Sequence, residues 1–170
     1  GRLVEEKGIR TLLQAWRIVG DRVPLRIAGD GPLKDLVLKA ADEIPAITYL
    51  GWLSPEAMGD LLSQSDLLVF PSQWYEAQPL MILQALAAGR PVLCSDLENI
   101  SEPVLAAGAG AAFRTGDPAA LAQRLLDLTE RPDELREMGQ RARKSYEASH
   151  SPQRSLEALQ AIYAEVAGSR

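Results

Sequence analysis

Within residues 71–92, PSQWYEAQPLMILQALAAGRPV, a carboxylate at Glu76 and an amide at Gln84 lie on either side of Pro79. Pro79 suits the first position of a helix, where its fixed φ fits and its missing N–H is not needed. The run Leu80–Ala88 is apolar apart from Gln84, and Gly89 ends it before a second apolar run. A helix starting there aims its free first-turn amides and the positive end of its dipole at the preceding loop, an arrangement that binds anions. Gln84 lies roughly 7–8 Å along that helix at ~1.5 Å per residue, so Glu76 and Gln84 flank its start. A ligand built as sugar, diphosphate and ribose suits this layout, with the diphosphate on the amides and a hydroxylated ring at each end. The competing reading makes Glu76 a solvated loop carboxylate and Gln84 an exposed helix residue. Arg2 and Lys7 are the cations best suited to a diphosphate, Arg2 as a planar fork and Lys7 as a mobile point charge. Their competing reading is an ordinary solvated first turn.

The elements that position these residues follow from apolar periodicity. Leu12, Leu13, Trp16 and Val19 share one face of a helix spanning about 8–19. Residues 24–28 form a short strand, and Gly29-Asp30-Gly31-Pro32 turns into a helix ending near Ile44. Further strands are expected at 47–51, 66–70, 92–95 and, more weakly, 111–114. Ser54 and Asp117 are helix N-caps, with Pro55 at a first helical position. From Pro132 to Val166 the chain is helical in two pieces, broken at Ser151-Pro152, while 106–112 reads as a tight turn. Strands alternating with helices predict a parallel sheet covered on both faces. Ligands bind such sheets beyond the carboxyl ends of the strands. Gly29-Asp30-Gly31, Gly51-Trp52, Gln73–Glu76 and Ser95–Asn99 all fall there, so four loops carrying glycine or polar residues converge on one edge.

The chain has 170 residues, 46% of them hydrophobic and 24% charged, which fits one soluble globular domain. A net charge of −5 provides no broad positive field for nucleic acid or an anionic membrane. No run approaches the ~18 apolar residues of a membrane span. Cys94, the single cysteine, sits in an apolar strand and reads as a buried, inert thiol compatible with a reducing compartment. His150, the single histidine, falls in a helix break, which argues against a hydrolase triad or a histidine-rich metal site. Trp16 reads as core, whereas Trp52 stands at a strand end.

Residues 71–92 resemble the donor-site motif of the group 1 retaining nucleotide-sugar glycosyltransferases of the GT-B fold, one form of which is P-S-x-x-x-E-x-x-P-L-x-x-x-E-A-x-A-x-G-x-P-V. Pro71, Ser72, Glu76, Pro79, Leu80, Ala85, Ala87, Gly89, Pro91 and Val92 match, and Gln84 replaces the second glutamate. Gly1-Arg2-Leu3 with Lys7-Gly8, the 25–33 stretch LRIAGDGPL, the 48–53 stretch TYLGWL and the 117–122 stretch DPAALA resemble other segments of the family in order and spacing. The resemblance covers nearly the whole chain. It implies an α/β, Rossmann-like domain with a mainly parallel sheet and helices on both faces, the donor-binding C-terminal half of a two-domain enzyme. It further implies an N-terminal acceptor domain and a first strand lying ahead of Gly1. The sheet would then show a gap or a substituted strand.

The activity implied is transfer of a sugar, with retention, from a nucleotide-diphosphate donor to a glycan, lipid or small-molecule acceptor, with no metal or separate cofactor. The location implied is cytoplasmic, peripheral to the inner membrane face through the other domain. Arg2 and Lys7 would hold the diphosphate and offset charge on the leaving nucleotide. Glu76 would lie against the donor sugar. Gly29, Gly31, Trp52 and the amides of Gln78 and Leu80 would contact the donor. Gln84 would accept from the ribose hydroxyls with one neutral acceptor in place of a carboxylate. Glu98-Asn99 stand where many relatives have a glycine pair, and Glu102 matches a glutamate common in the family. The rival readings are a nucleotide-sugar epimerase on the same fold and a catalytically weak or inactive nucleotide-sugar binding or scaffolding module. A dinucleotide-dependent dehydrogenase fits less well, since no G-x-G-x-x-G follows a strand.

Overall fold

The computed structural model describes residues 1–168. Its strands are β1 (Leu25–Ala28), β2 (Ile47–Gly51), β3 (Leu68–Phe70), β4 (Val92–Ser95) and β5 (Gly110–Phe113). They alternate with α1 (Ile9–Val19), α2 (Lys34–Glu43), α3 (Pro55–Ser63), α4 (Leu80–Ala87), α5 (Glu98–Ala106) and α6 (Pro118–Thr129). Helices α7 (Pro132–Ser149) and α8 (Pro152–Gly168) follow, with the break between them at the expected Ser151-Pro152.

Every strand pairing is parallel. In β4 the side chains alternate between two cores. Leu93 faces the core built by α1 and α6, with Leu12, Trp16, Leu121 and Leu125. Val92 and Cys94 face Ile82 and Leu86 of α4 and Ile100 and Val104 of α5. Because both faces are covered, β4 is buried along its whole length, an apolar run closed by the buried polar Ser95. Each fully buried Leu or Val contributes about 1.5–3 kcal/mol relative to exposure.

Strand β1 pairs with β2 alone, and β3 pairs with β4 alone. The strands therefore form two separate parallel sheets, of two and three strands. Between β1 and β3 runs an apolar cleft of about 570 Å³ whose walls include Trp16, Leu25, Ile27, Leu62, Val69 and Phe70.

Local chemistry accounts for most element boundaries. Ser54 Oγ accepts from the Ala57 amide (3.2 Å), and Asp117 Oδ1 accepts from the amides of Ala119 and Ala120 (2.9 and 3.0 Å). Trp16 is core, as expected, its indole N–H donating to the Val23 carbonyl (2.9 Å). Several boundaries differ from the sequence expectation, β3 starting at Leu68 rather than at residue 66 and β5 at Gly110 within the stretch read as a turn. Pro79 lies just before α4, with ψ 79°, and the first helical residue is Leu80. Glu98 and Asn99, expected as loop, open α5, which continues to Ala106 with Pro103 in its interior. Burial of Ile100 and Val104 in the second core outweighs the hydrogen bond that Pro103 cannot make.

Candidate functional site

The site begins with the first eight residues, which bridge the two pieces of the sheet. Residues 1–3 run past the end of β1. The Gly1 nitrogen donates to the Ala28 carbonyl (2.9 Å) and the Leu3 amide to that of Asp30 (2.8 Å). Gly29 and Gly31 permit this approach. A Cβ on Gly29 would lie 1.8 Å from the Gly1 oxygen, and one on Gly31 would lie 2.6 Å from that of Leu3. These two glycines, expected as ligand contacts, thus have a packing reason of their own. The chain then makes a short 3-10 turn, Glu5–Lys7, and enters α1 through Gly8 at φ 69°. A Cβ on Gly8 would meet the Pro71 oxygen at 1.9 Å, so the turn presses directly on the loop after β3.

That contact brings Lys7 to Glu76. Lys7 Nζ and Ser72 Oγ both donate to Glu76 Oε1, the latter at 2.8 Å. The loop is fastened to α1 and its approach by Gln73, whose amide donates to the Glu6 carbonyl (2.8 Å) and whose side chain donates to Thr11 Oγ1 (2.7 Å). From the other side, Asn99 Nδ2 at the start of α5 donates to the Glu76 carbonyl (2.7 Å). Burial raises the pKa of the Glu76 carboxyl. Hydrogen bonds from Lys7 and Ser72 and the Lys7 charge outweigh it, leaving the pKa below the ordinary value. Glu76 is thus an anion held at one oxygen, and its Oε2 makes no hydrogen bond among the described residues.

The remaining candidates lie at strand ends or on α4 and the loop before it. Arg2 is exposed, bridges Asp30 through its backbone and has no side-chain partner among the described residues. Trp52, just past β2, is 71% exposed. Gln78, Leu80 and Gln84 are exposed. The Leu80 amide, expected to be open to a ligand, donates to the Gln78 carbonyl (2.9 Å), because the chain folds back on itself at Pro79. The sequence does not single out Ser72 or Asn99 as site residues, although Ser72 stands in the matched motif and Asn99 in the Ser95–Asn99 loop expected at the ligand edge. Asp96, at the end of β4, accepts from the Thr115 amide (2.9 Å) and hydroxyl (2.6 Å), tying two rim loops together.

The sequence profile described as Glycosyl transferases group 1 matches residues 1–131. This chain belongs to the group 1 glycosyltransferases. Among curated relatives, the alpha-D-kanosaminyltransferase of Streptomyces kanamyceticus is 29% identical over 98% of this chain and 44% of its own length. A lipopolysaccharide 1,2-N-acetylglucosaminetransferase of Salmonella typhimurium is 36% identical over 62% of this chain and 31% of its own length. The chain therefore spans less than half the length of these relatives. Solved structures share the fold. Sucrose-phosphate synthase from Thermosynechococcus elongatus superposes with a TM-score of 0.84 at 23% identity, covering 100% of this chain and 45% of that one. An Anabaena protein crystallised with UDP and glucose gives 0.81 at 18% identity, over 96% and 47%. No helix among the described residues is long and apolar enough to cross a membrane.

Proposed function

We propose that this chain supplies the donor site of a glycosyltransferase that moves a sugar from a nucleotide diphosphate to an acceptor with retention. The observation that carries this reading is the convergence of Lys7 and Ser72 on Glu76 at the carboxyl rim of the strands. A cation and a carboxylate 69 residues apart in sequence meet where a ligand of this fold binds. Lys7, with its one positive charge, exchanges Glu76 for the diphosphate as the donor enters. Arg2, unpaired and exposed, adds a second cation to the leaving nucleotide diphosphate. Released from Lys7, Glu76 offers both oxygens to hydroxyls of the donor sugar. Gln84 accepts from the ribose with its amide oxygen, Trp52 borders the base, and the Gln78 amide contacts the donor. Gly29 and Gly31 keep the backbone close to the ligand while making room for residues 1–3.

The acceptor binds to a further domain of the intact protein, as the chain's share of its relatives supports. A thermal-shift panel of UDP-, GDP- and ADP-sugars on the intact protein tests the reading. One base should raise the melting temperature in proportion to the logarithm of ligand concentration. No response to any of the three would refute it.

A further inference from the structure

We propose that Asn99 is a positioning residue that fixes Glu76 for the donor sugar, an inference that rests on the donor-site reading above. The loop carrying Glu76 is bonded at its start, where the Gln73 amide meets Glu6, and at its end, where the Leu80 amide meets Gln78. Among the described residues, one hydrogen bond ties it to α5, from Asn99 Nδ2 to the Glu76 carbonyl (2.7 Å). The orientation of the Asn99 amide follows from that bond, since a flipped amide would set its oxygen against the carbonyl oxygen. The chosen orientation leaves Oδ1 buried with no hydrogen-bond partner, an unfavourable state that the Nδ2 bond must offset.

The bond matters most when the site is filled. In the free protein Glu76 is also held through its side chain, by Lys7 and Ser72. A diphosphate that draws Lys7 away removes the stronger of those ties. Asn99 then holds the backbone of Glu76 against α5, while Ser72 steadies one carboxylate oxygen. Without Asn99, the carboxylate would meet the sugar only in a fraction of loop conformations.

Calorimetry on the intact protein separates positioning from packing. UDP, GDP and ADP are titrated beside UDP-, GDP- and ADP-glucose, and the pair that binds best is carried through Asn99→Ala and Asn99→Asp. Both variants should keep the affinity for the plain diphosphate within about twofold and lose at least tenfold for its glucose conjugate at pH 8. Asn99→Asp, whose carboxylate sets an oxygen against the Glu76 carbonyl, should lose at least as much as Asn99→Ala. A role confined to starting α5 predicts the opposite for Asn99→Asp, because a carboxylate suits a helix's first turn. Unchanged affinity for the glucose conjugate in both variants, or equal losses for both ligands, overturns the proposal. A wild type that binds none of the six overturns the donor-site reading, and this one with it.

Discussion

A carboxylate that shares one oxygen between an ammonium and a hydroxyl stays ionised until the solution is acidic. The folded pKa of Glu76 lies below its ordinary value of 4.5, so the Lys7 pairing contributes stability above that value. It is lost as pH falls through the lowered folded pKa. The difference in urea midpoint between wild type and Lys7→Met should therefore hold across neutral pH and shrink below about pH 4. Its size should be about 1 kcal/mol or less, as for partly exposed pairs. The same substitution should weaken nucleoside diphosphate binding by about 1–3 kcal/mol, the range for hydrogen bonds to charged groups. Gln84 tests the opposite end of the ligand. Gln84→Glu should tighten nucleoside diphosphate binding by about 1–2 kcal/mol, and calorimetry with a ligand lacking the ribose hydroxyls should erase the gain. An unaltered affinity would place Gln84 outside the site. Cys94 needs no ligand for its test. Burial, with the Asp96 charge adding to it, pushes its pKa up to about 12, so a thiol reagent should modify it only in denaturant.

At the scale of elements, what was legible in the sequence was whatever local chemistry specifies. Ser54, Asp117 and the Ser151-Pro152 break announce themselves by residue type, and the Trp16 face of α1 by its spacing. Helix α5 was hidden because Asp96–Asn99 read as loop and no local pattern marks the residues after them, so that only the tertiary burial of Ile100 and Val104 makes the segment helical. The roles of Gly29 and Gly31 were hidden for a related reason. Their near neighbours are residues 1–3, far away in sequence, and no local pattern reports that. Ser72 and Asn99 escaped selection likewise, since their partner at Glu76 is fixed by loop geometry. Gly8 carries the clearest element-scale prediction. Gly8→Ala places a side chain in left-handed backbone, costing about 1–2 kcal/mol before any clash, and drives it into the Pro71 oxygen. The turn must then lift from the β3 loop, so stability and nucleotide binding should fall together, read by urea unfolding and calorimetry. Asp117→Ala, which removes the cap of α6, should cost about 1 kcal/mol of stability, read by urea unfolding.

Across the whole molecule, two half-sheets are joined at one rim by residues 1–8 and below by a shared core in which Leu93 and Ala111 of one half pack with Trp16 and Ile27 of the other. The cleft between them has a consequence for how the chain behaves among its own copies. Strands β1 and β3 each leave one side of their backbone unpaired along an apolar wall. Open edges of this kind pair with any extended segment that reaches them. The molecule's net charge of −5 opposes such encounters only through a field that salt screens within about 8–10 Å. Residues 1–170 taken alone should therefore act as a weakly attractive colloid, their light scattering per unit mass climbing with concentration and climbing faster as salt is added. Ideal scattering of that piece at every concentration and ionic strength would mean that its two walls have closed on each other.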